Sequence, residues 1–162
     1  MTTDVGYLFA IAAVSMSLSS LAGLVIAFRR SGTWAVYDLF RLRQIVGYGF
    51  ANVILALFAF PLAGLLGSER DALRLIAAIT FVYVVVNLLV LKNRVDRLGR
   101  PAAIRYSPLI IVIDIAIVIV CTATMILGTM PTWELLLLLL VTRPMLAFAL
   151  VLATLGQEGD AA

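Results

Sequence analysis

The stretch PLIIVIDIAIVIVCTATMIL, residues 108–127, is almost unbroken in its apolar character and holds a single charged side chain, Asp114. As an α-helix rising about 1.5 Å per residue it is about 30 Å long, which matches the hydrocarbon core of a bilayer. Ser107 and Pro108 give it a start, a hydroxyl cap followed by proline at the first helical position. Gly128-Thr129-Met130-Pro131 gives it a stop. A soluble helix keeps a polar face, and this one has none.

Four more runs of this kind flank it. Residues 7–28, 45–67, 72–91 and 133–155 are each long and apolar enough to cross a bilayer, and together they fill most of the 162 residues. The chain is 64% apolar and 13% charged, against about a quarter charged in soluble domains. Such a composition cannot cover a water-facing surface. The expected fold is therefore all-α, one integral membrane bundle of five transmembrane helices with no second domain.

Connections add detail. Ser68-Glu69-Arg70-Asp71 reads as a tight turn with Ser68 capping the third helix, so helices two and three should form an antiparallel hairpin. Residues 31–44 carry Trp34, Tyr37 and Phe40 beside Arg41 and Arg43. They read equally well as an interfacial helix or as an extension of helix two. Thr132-Trp133-Glu134 opens the fifth helix, with an indole suited to a membrane interface and a carboxylate suited to a helix N-terminus.

Charge placement orients the bundle. Arg29, Arg30, Arg41, Arg43, Lys92, Arg94, Arg97, Arg100 and Arg105 fall on one side, and only Arg70 and Arg74 on the other. The positive-inside rule then puts the N-terminus outside and the C-terminus inside, and the arginine-heavy, lysine-poor usage is compatible with the expected bacterial-type cytoplasmic (inner) membrane. The first run is read as a retained helix rather than a cleaved leader, because its arginines follow the apolar segment. The pI near 9.4 reflects this bias, not a nucleic-acid surface, since the basic residues border apolar runs.

Several chemistries are disfavoured. Histidine is absent, which removes the usual haem and transition-metal ligand, and no cofactor or metal is expected. The only lysine, Lys92, lies at a helix end, unsuited to a buried Schiff base. Cys121 stands alone inside an apolar run and reads as a small packing residue. No nucleophile–base pair, paired intramembrane acids or glycine-rich phosphate loop is present, so no enzyme is expected. The residues carry no motif from which a family is assigned.

What remains is a short set of polar residues inside the runs. Asp114 lies about 9 Å from the cytoplasmic edge by residue count, and Ser19, Ser20 and Asn52 fall in the same layer, with Asn87 slightly closer to that edge. Asp114 is read either as a proton- or cation-binding carboxylate or as a structural acid hydrogen-bonded to Asn52 or Ser19. Arg143 counts to about 18 Å from the same edge, beside Pro144, whose ring frees the carbonyl of Leu140. That difference in depth argues against a direct Asp114–Arg143 pair. Ser15, Ser19, Gly23 and Ala27 recur at a stride of four, a small-residue face for close helix packing, with Gly47/Ala51 and Ala149/Ala153 as shorter versions.

Two functions follow as expectations. One is ion- or proton-coupled transport or permeation of a small solute, with Asp114, Arg143, Asn52, Asn87, Ser19 and Ser20 lining the path. The other is a non-catalytic interaction or assembly subunit whose small-residue face docks on a partner. Besides the lipid bilayer, the expected company is a homo-oligomer or a partner membrane protein, and not nucleic acid.

Overall fold

A computed structural model describes residues 2–28, 36–98 and 108–159. Among these residues five helices follow in order: α1 (Thr2–Phe28), α2 (Val36–Leu66), α3 (Glu69–Leu98), α4 (Pro108–Leu127) and α5 (Met130–Gly159). Each contains an apolar span of at least 20 residues. Four of the helices run past their apolar spans, whereas α4 coincides with residues 108–127. Hydropathy marks where lipid begins, and backbone hydrogen bonding carries a helix beyond that point. Residues 36–44 belong to α2, which extends the second helix. Residues 31–35, like most of the basic connection before Pro108, lie outside the described residues.

Side chains are sorted as a bilayer demands. Large apolar groups such as Ile54, Val82, Ile119 and Ile126 point outward, each more than 60% exposed. Ser15, Asn52, Thr80, Asp114, Thr124 and Arg143 are buried. With lipid as solvent, polar groups gain by facing other helices and apolar ones lose nothing by facing out. The five helices close a ring in chain order, and α2 also packs across it on α5. With a slighter contact to α3, α5 touches all four other helices. Hydroxyls that face outward are satisfied within their own helices: Ser17 donates to the carbonyl of Ala13, Ser20 to Met16 and Thr122 to Val118.

One close approach joins α1 to α2. A Cβ at Gly49 would collide with Ser19 Oγ and lie 2.8 Å from the carbonyl oxygen of Ser15. Ser15 and Ser19 of the small-residue face of α1 thus lie inside the bundle against Gly49. Gly23 and Gly47 depart from the expected packing face, since a Cβ at either would meet nothing within 4 Å. The side chains of Ala27 and Ala153 lie outside the described set.

The two hairpin turns lie side by side. Asp71 N donates to the capping hydroxyl of Ser68 at 3.3 Å. From the same first turns of α3, Arg70 Nε donates to the carbonyl of Leu127 (3.2 Å) and Arg74 Nη2 to that of Ile126 (2.7 Å). These arginines satisfy the open carbonyls at the α4 C-terminus. Gly128 ends α4 with φ +60°, and a Cβ there would stand 2.9 Å from the carbonyl oxygen of Arg70. Gly67 has a similar φ of +64° but open space around it. Gly128→Ala should therefore destabilise the bundle by about 2 kcal/mol, and Gly67→Ala by about 1 kcal/mol, the cost of left-handed backbone alone. Unfolding midpoints in mixed micelles measure both, and equal losses would show that the Arg70 contact is unimportant.

Trp133 corrects an expectation. It is fully buried in the core with Leu136, Leu137 and Leu140, so its indole faces the other helices rather than the outside of the bundle. Helix α5 starts three residues earlier, at Met130, and its phase turns position 133 inward. The Tyr7 hydroxyl, on α1, reaches this end of α5 by donating to the carbonyl of Glu134 at 3.0 Å. Cys121 packs as expected, buried, with Sγ 3.3 Å from the carbonyl of Ala77.

Candidate functional site: a buried ion pair

Asp114 and Arg143 meet. Arg143 Nε donates to Asp114 Oδ1, and Nη2 lies 3.4 Å from Oδ2. Both residues are 4% exposed, so this is a desolvated ion pair in the bundle interior. Counting from separate apolar edges sets the two residues at different depths, but α4 and α5 share a turn. Measured from the turn they share, Asp114 is 14 residues before Gly128 and Arg143 is 15 residues after it. At about 1.5 Å per residue these are about 21 and 22 Å, so the two Cα atoms are level. Their side chains do lean apart, each toward its own N-terminus, but the long arginine stem reaches across.

Tyr48 on α2 supplies a third wall. The guanidinium carbon of Arg143 stands 4.1 Å from the centre of the Tyr48 ring, a cation–π contact in a dry setting. Tyr83 on α3 meets Tyr48 edge-on, with ring centres 5.7 Å apart and planes at 69°. The pair is therefore held by groups from α2, α4 and α5, backed by α3. A carboxylate and a guanidinium cancel each other's charge, and the ring face adds partial negative charge against the cation. Either ion alone would cost several kcal/mol at this depth.

The remaining expected residues divide. Asn52 is 15 residues before Gly67, the same count as Arg143 from its own turn, and the contact of Arg70 with Leu127 sets the two turns level. It sits one helical turn from Tyr48 on the same face of α2, is 1% exposed, and neither its amide nitrogen nor its oxygen has a hydrogen-bond partner. Ser15 Oγ is likewise buried without a partner. Asn87 Nδ2 donates to the carbonyl of Tyr83, one turn back. Ser19 donates to the carbonyl of Ser15, so it is neither a hydrogen-bond partner of Asp114 nor idle. Ser20 is exposed on the outer face and does not join the cluster. Asp114 is thus bound by Arg143, not by Asn52 or Ser19 as the structural reading held.

Tyr48 is the residue sequence reasoning missed. An aromatic in a membrane helix carries no distinctive signal, though its spacing of four from Asn52 places both on one face. A cavity of about 300 Å³ borders Asp114, lined also by Leu88 of α3 and by Ile111, Ile115, Val118 and Ile119 of α4. Among the described residues no group of three or more acidic or cysteine side chains is placed to hold a metal ion. Compared with protein-family models, curated proteins and solved structures, the chain matches none.

Proposed function

We propose that this chain is a small multi-pass transport or permeation protein of a bacterial-type cytoplasmic membrane, in which the Asp114–Arg143 pair is the ion- or proton-responsive switch. The observation that carries the reading is the buried pair itself. Desolvating two ions consumes about as much free energy as their attraction returns, so apolar residues would serve stability equally well. A costly pair in the middle of an apolar bundle calls for a function other than holding it together.

The mechanism follows from the neighbours. A proton or a competing cation on Asp114 weakens its hold on the Arg143 guanidinium, which lies against Tyr48. Asn52, level with it and holding an unused amide oxygen, is an alternative acceptor. Moving the arginine between these partners gives two arrangements of α5 against α2 and α4, which is what a gated path requires. In this reading the basic-rich end faces the cytoplasm, with the N-terminus outside.

The alternative, an assembly subunit, draws less support. It needs the small-residue face of α1 free for docking, and of that face Ser15 and Ser19 are buried against Gly49, which leaves Gly23 open. Proteoliposomes loaded with a pH-sensitive dye provide the test. Wild-type protein should carry pH-dependent flux under an imposed potential, and Asp114→Asn should reduce it at least about tenfold, the order expected for loss of an essential proton-transfer group. Unchanged pH-dependent flux in Asp114→Asn would end the proton role.

A further inference from the structure

Two buried polar side chains stand outside the ion pair. Asn52 on α2 and Ser15 on α1 are each 1% exposed, and neither the two amide atoms nor the serine Oγ has a hydrogen-bond partner. Buried polar atoms in folded proteins are nearly always bonded, and lipid offers nothing to those that are not. Other buried hydroxyls follow that rule within their own helices. Ser19 donates to the carbonyl of Ser15, Thr80 to that of Ile76 and Thr124 to that of Val120. Asn52 and Ser15 are the exceptions, and they come from facing helices.

The Gly49 contact brings them to one place. A Cβ at Gly49 would stand 2.8 Å from the Ser15 carbonyl oxygen, so positions 15 and 49 face each other. Asn52 is three residues on, about 4.5 Å along α2 and about 60° around it toward the side of Tyr48. The two helices run antiparallel here, since Ala22, further along α1, clusters with Leu42 and Ile45, earlier in α2. Helical side chains lean toward their own N-terminus. Ser15 therefore leans toward the level of Asn52, and Asn52 leans back toward Gly49. The next turns on the two faces are Ala12 and Ala56, both buried and without a polar side-chain atom. No hydrogen bond joins Asn52 to Ser15 directly.

The chemistry of the unmet atoms selects the occupant. Asn52 lacks a partner on its donor and on its acceptor, whichever way the amide is turned, so the occupant must both accept and donate. A metal ion takes only lone pairs, and a halide takes only protons. Water does both, and it is small enough for helices held as close as Gly49 allows. We propose that Asn52 and Ser15 form a buried hydration site between α1 and α2, in which an ordered water accepts from Asn52 Nδ2 and donates to Asn52 Oδ1 and Ser15 Oγ. The site is argued from these groups alone. Only its consequence rests on the transport reading: the water keeps Oδ1 solvated until the Arg143 guanidinium, level with it, takes its place.

The experiment is solid-state NMR of the full chain in proteoliposomes, with ¹⁵N-labelled asparagine and magnetisation transferred from water. The chain has three asparagines, Asn52, Asn87 and Asn93. Asn93 is exposed beyond the apolar span of α3, which makes it the wet reference. Asn87, inside that span, donates to the Tyr83 carbonyl and is the dry one. The Asn52 side-chain amide should gain water magnetisation at a rate approaching that of Asn93 and well above that of Asn87. Asn52→Leu assigns the signal by deleting it. Ser15→Ala, which removes one of the three hydrogen bonds on the water, should lower the Asn52 transfer about fivefold and leave Asn93 unchanged. Transfer to Asn52 as slow as to Asn87 would overturn the proposal. Transfer indifferent to Ser15→Ala would also overturn it, because the bridge between α1 and α2 would be gone. Fast transfer in a protein that carries no flux would leave the hydration site standing and retire the transport reading alone.

Discussion

Arg143→Leu should destabilise the bundle by about 3–5 kcal/mol, because it leaves the Asp114 carboxylate buried without its partner. The replacement fits the space of the arginine stem, so the loss reports the orphaned charge more than a void. Asp114→Leu should cost somewhat less, since the stranded guanidinium keeps the face of Tyr48 at 4.1 Å, a contact worth about 1–2 kcal/mol when dry. The double variant Asp114→Leu/Arg143→Met removes both charges at nearly constant volume. It should recover to within about 2 kcal/mol of the wild type, making it more stable than either single variant. Unfolding in mixed micelles, followed by helicity, closes the cycle. Additive losses would mean that the two ions do not act as a pair. The double variant also separates stability from activity, because a folded bundle without the pair should carry no pH-dependent flux.

Gly49→Val is the second large effect, expected to cost about 3 kcal/mol. Its Cβ would run into Ser19 Oγ and come within 2.8 Å of the Ser15 carbonyl oxygen. A hydroxyl can rotate aside, but a backbone carbonyl on α1 moves only if the helices separate. Ser19→Ala should accordingly rescue only part of the loss. Gly47→Ala is the matched control, two residues away on the exposed face with nothing within 4 Å. There the helix propensity of alanine should leave stability unchanged or slightly raised, by up to about 1 kcal/mol. Equal losses at the two glycines would remove Gly49 from the α1–α2 contact.

The two effects show where a sequence can and cannot be read. The stride of four in α1 marks Ser15 and Ser19 as a packing face, but not the surface they pack on. That surface is Gly49, whose neighbour in sequence, Gly47, offers the same residue type at a more regular spacing from Ala51. Helix phase decides between them, and phase depends on how α2 rotates to bury Tyr48 and Asn52. Trp133 is similar. Its place near a helix end suggests an interface, whereas its direction is set by which side of α5 faces the ring.

Asp114 and Arg143 stand out as the two charges deep inside apolar runs, because the other ionised residues there, Arg74 and Glu134, lie within the first three positions of theirs. Their partnership was harder to see. Apolar edges are poor rulers, since α5 continues as a helix to Gly159 while α4 is only as long as its apolar run. The shared turn at Gly128 is the better origin. The contribution of Tyr48 could not be counted from either helix of that hairpin, since it arrives from α2.

By itself the sequence determined five membrane-length helices, their order, the turns at Ser68 and Gly128, and which charges are buried. These are properties of composition along the chain, and lipid as solvent makes composition decisive. The tertiary structure alone decided that Arg143 binds Asp114 under the Tyr48 ring, that Gly49 receives α1, and that an apolar cavity lined by α3 and α4 borders Asp114. Each depends on the relative rotation of helices. In a bilayer every outward face is acceptable, so hydropathy does not encode that rotation and only close packing settles it.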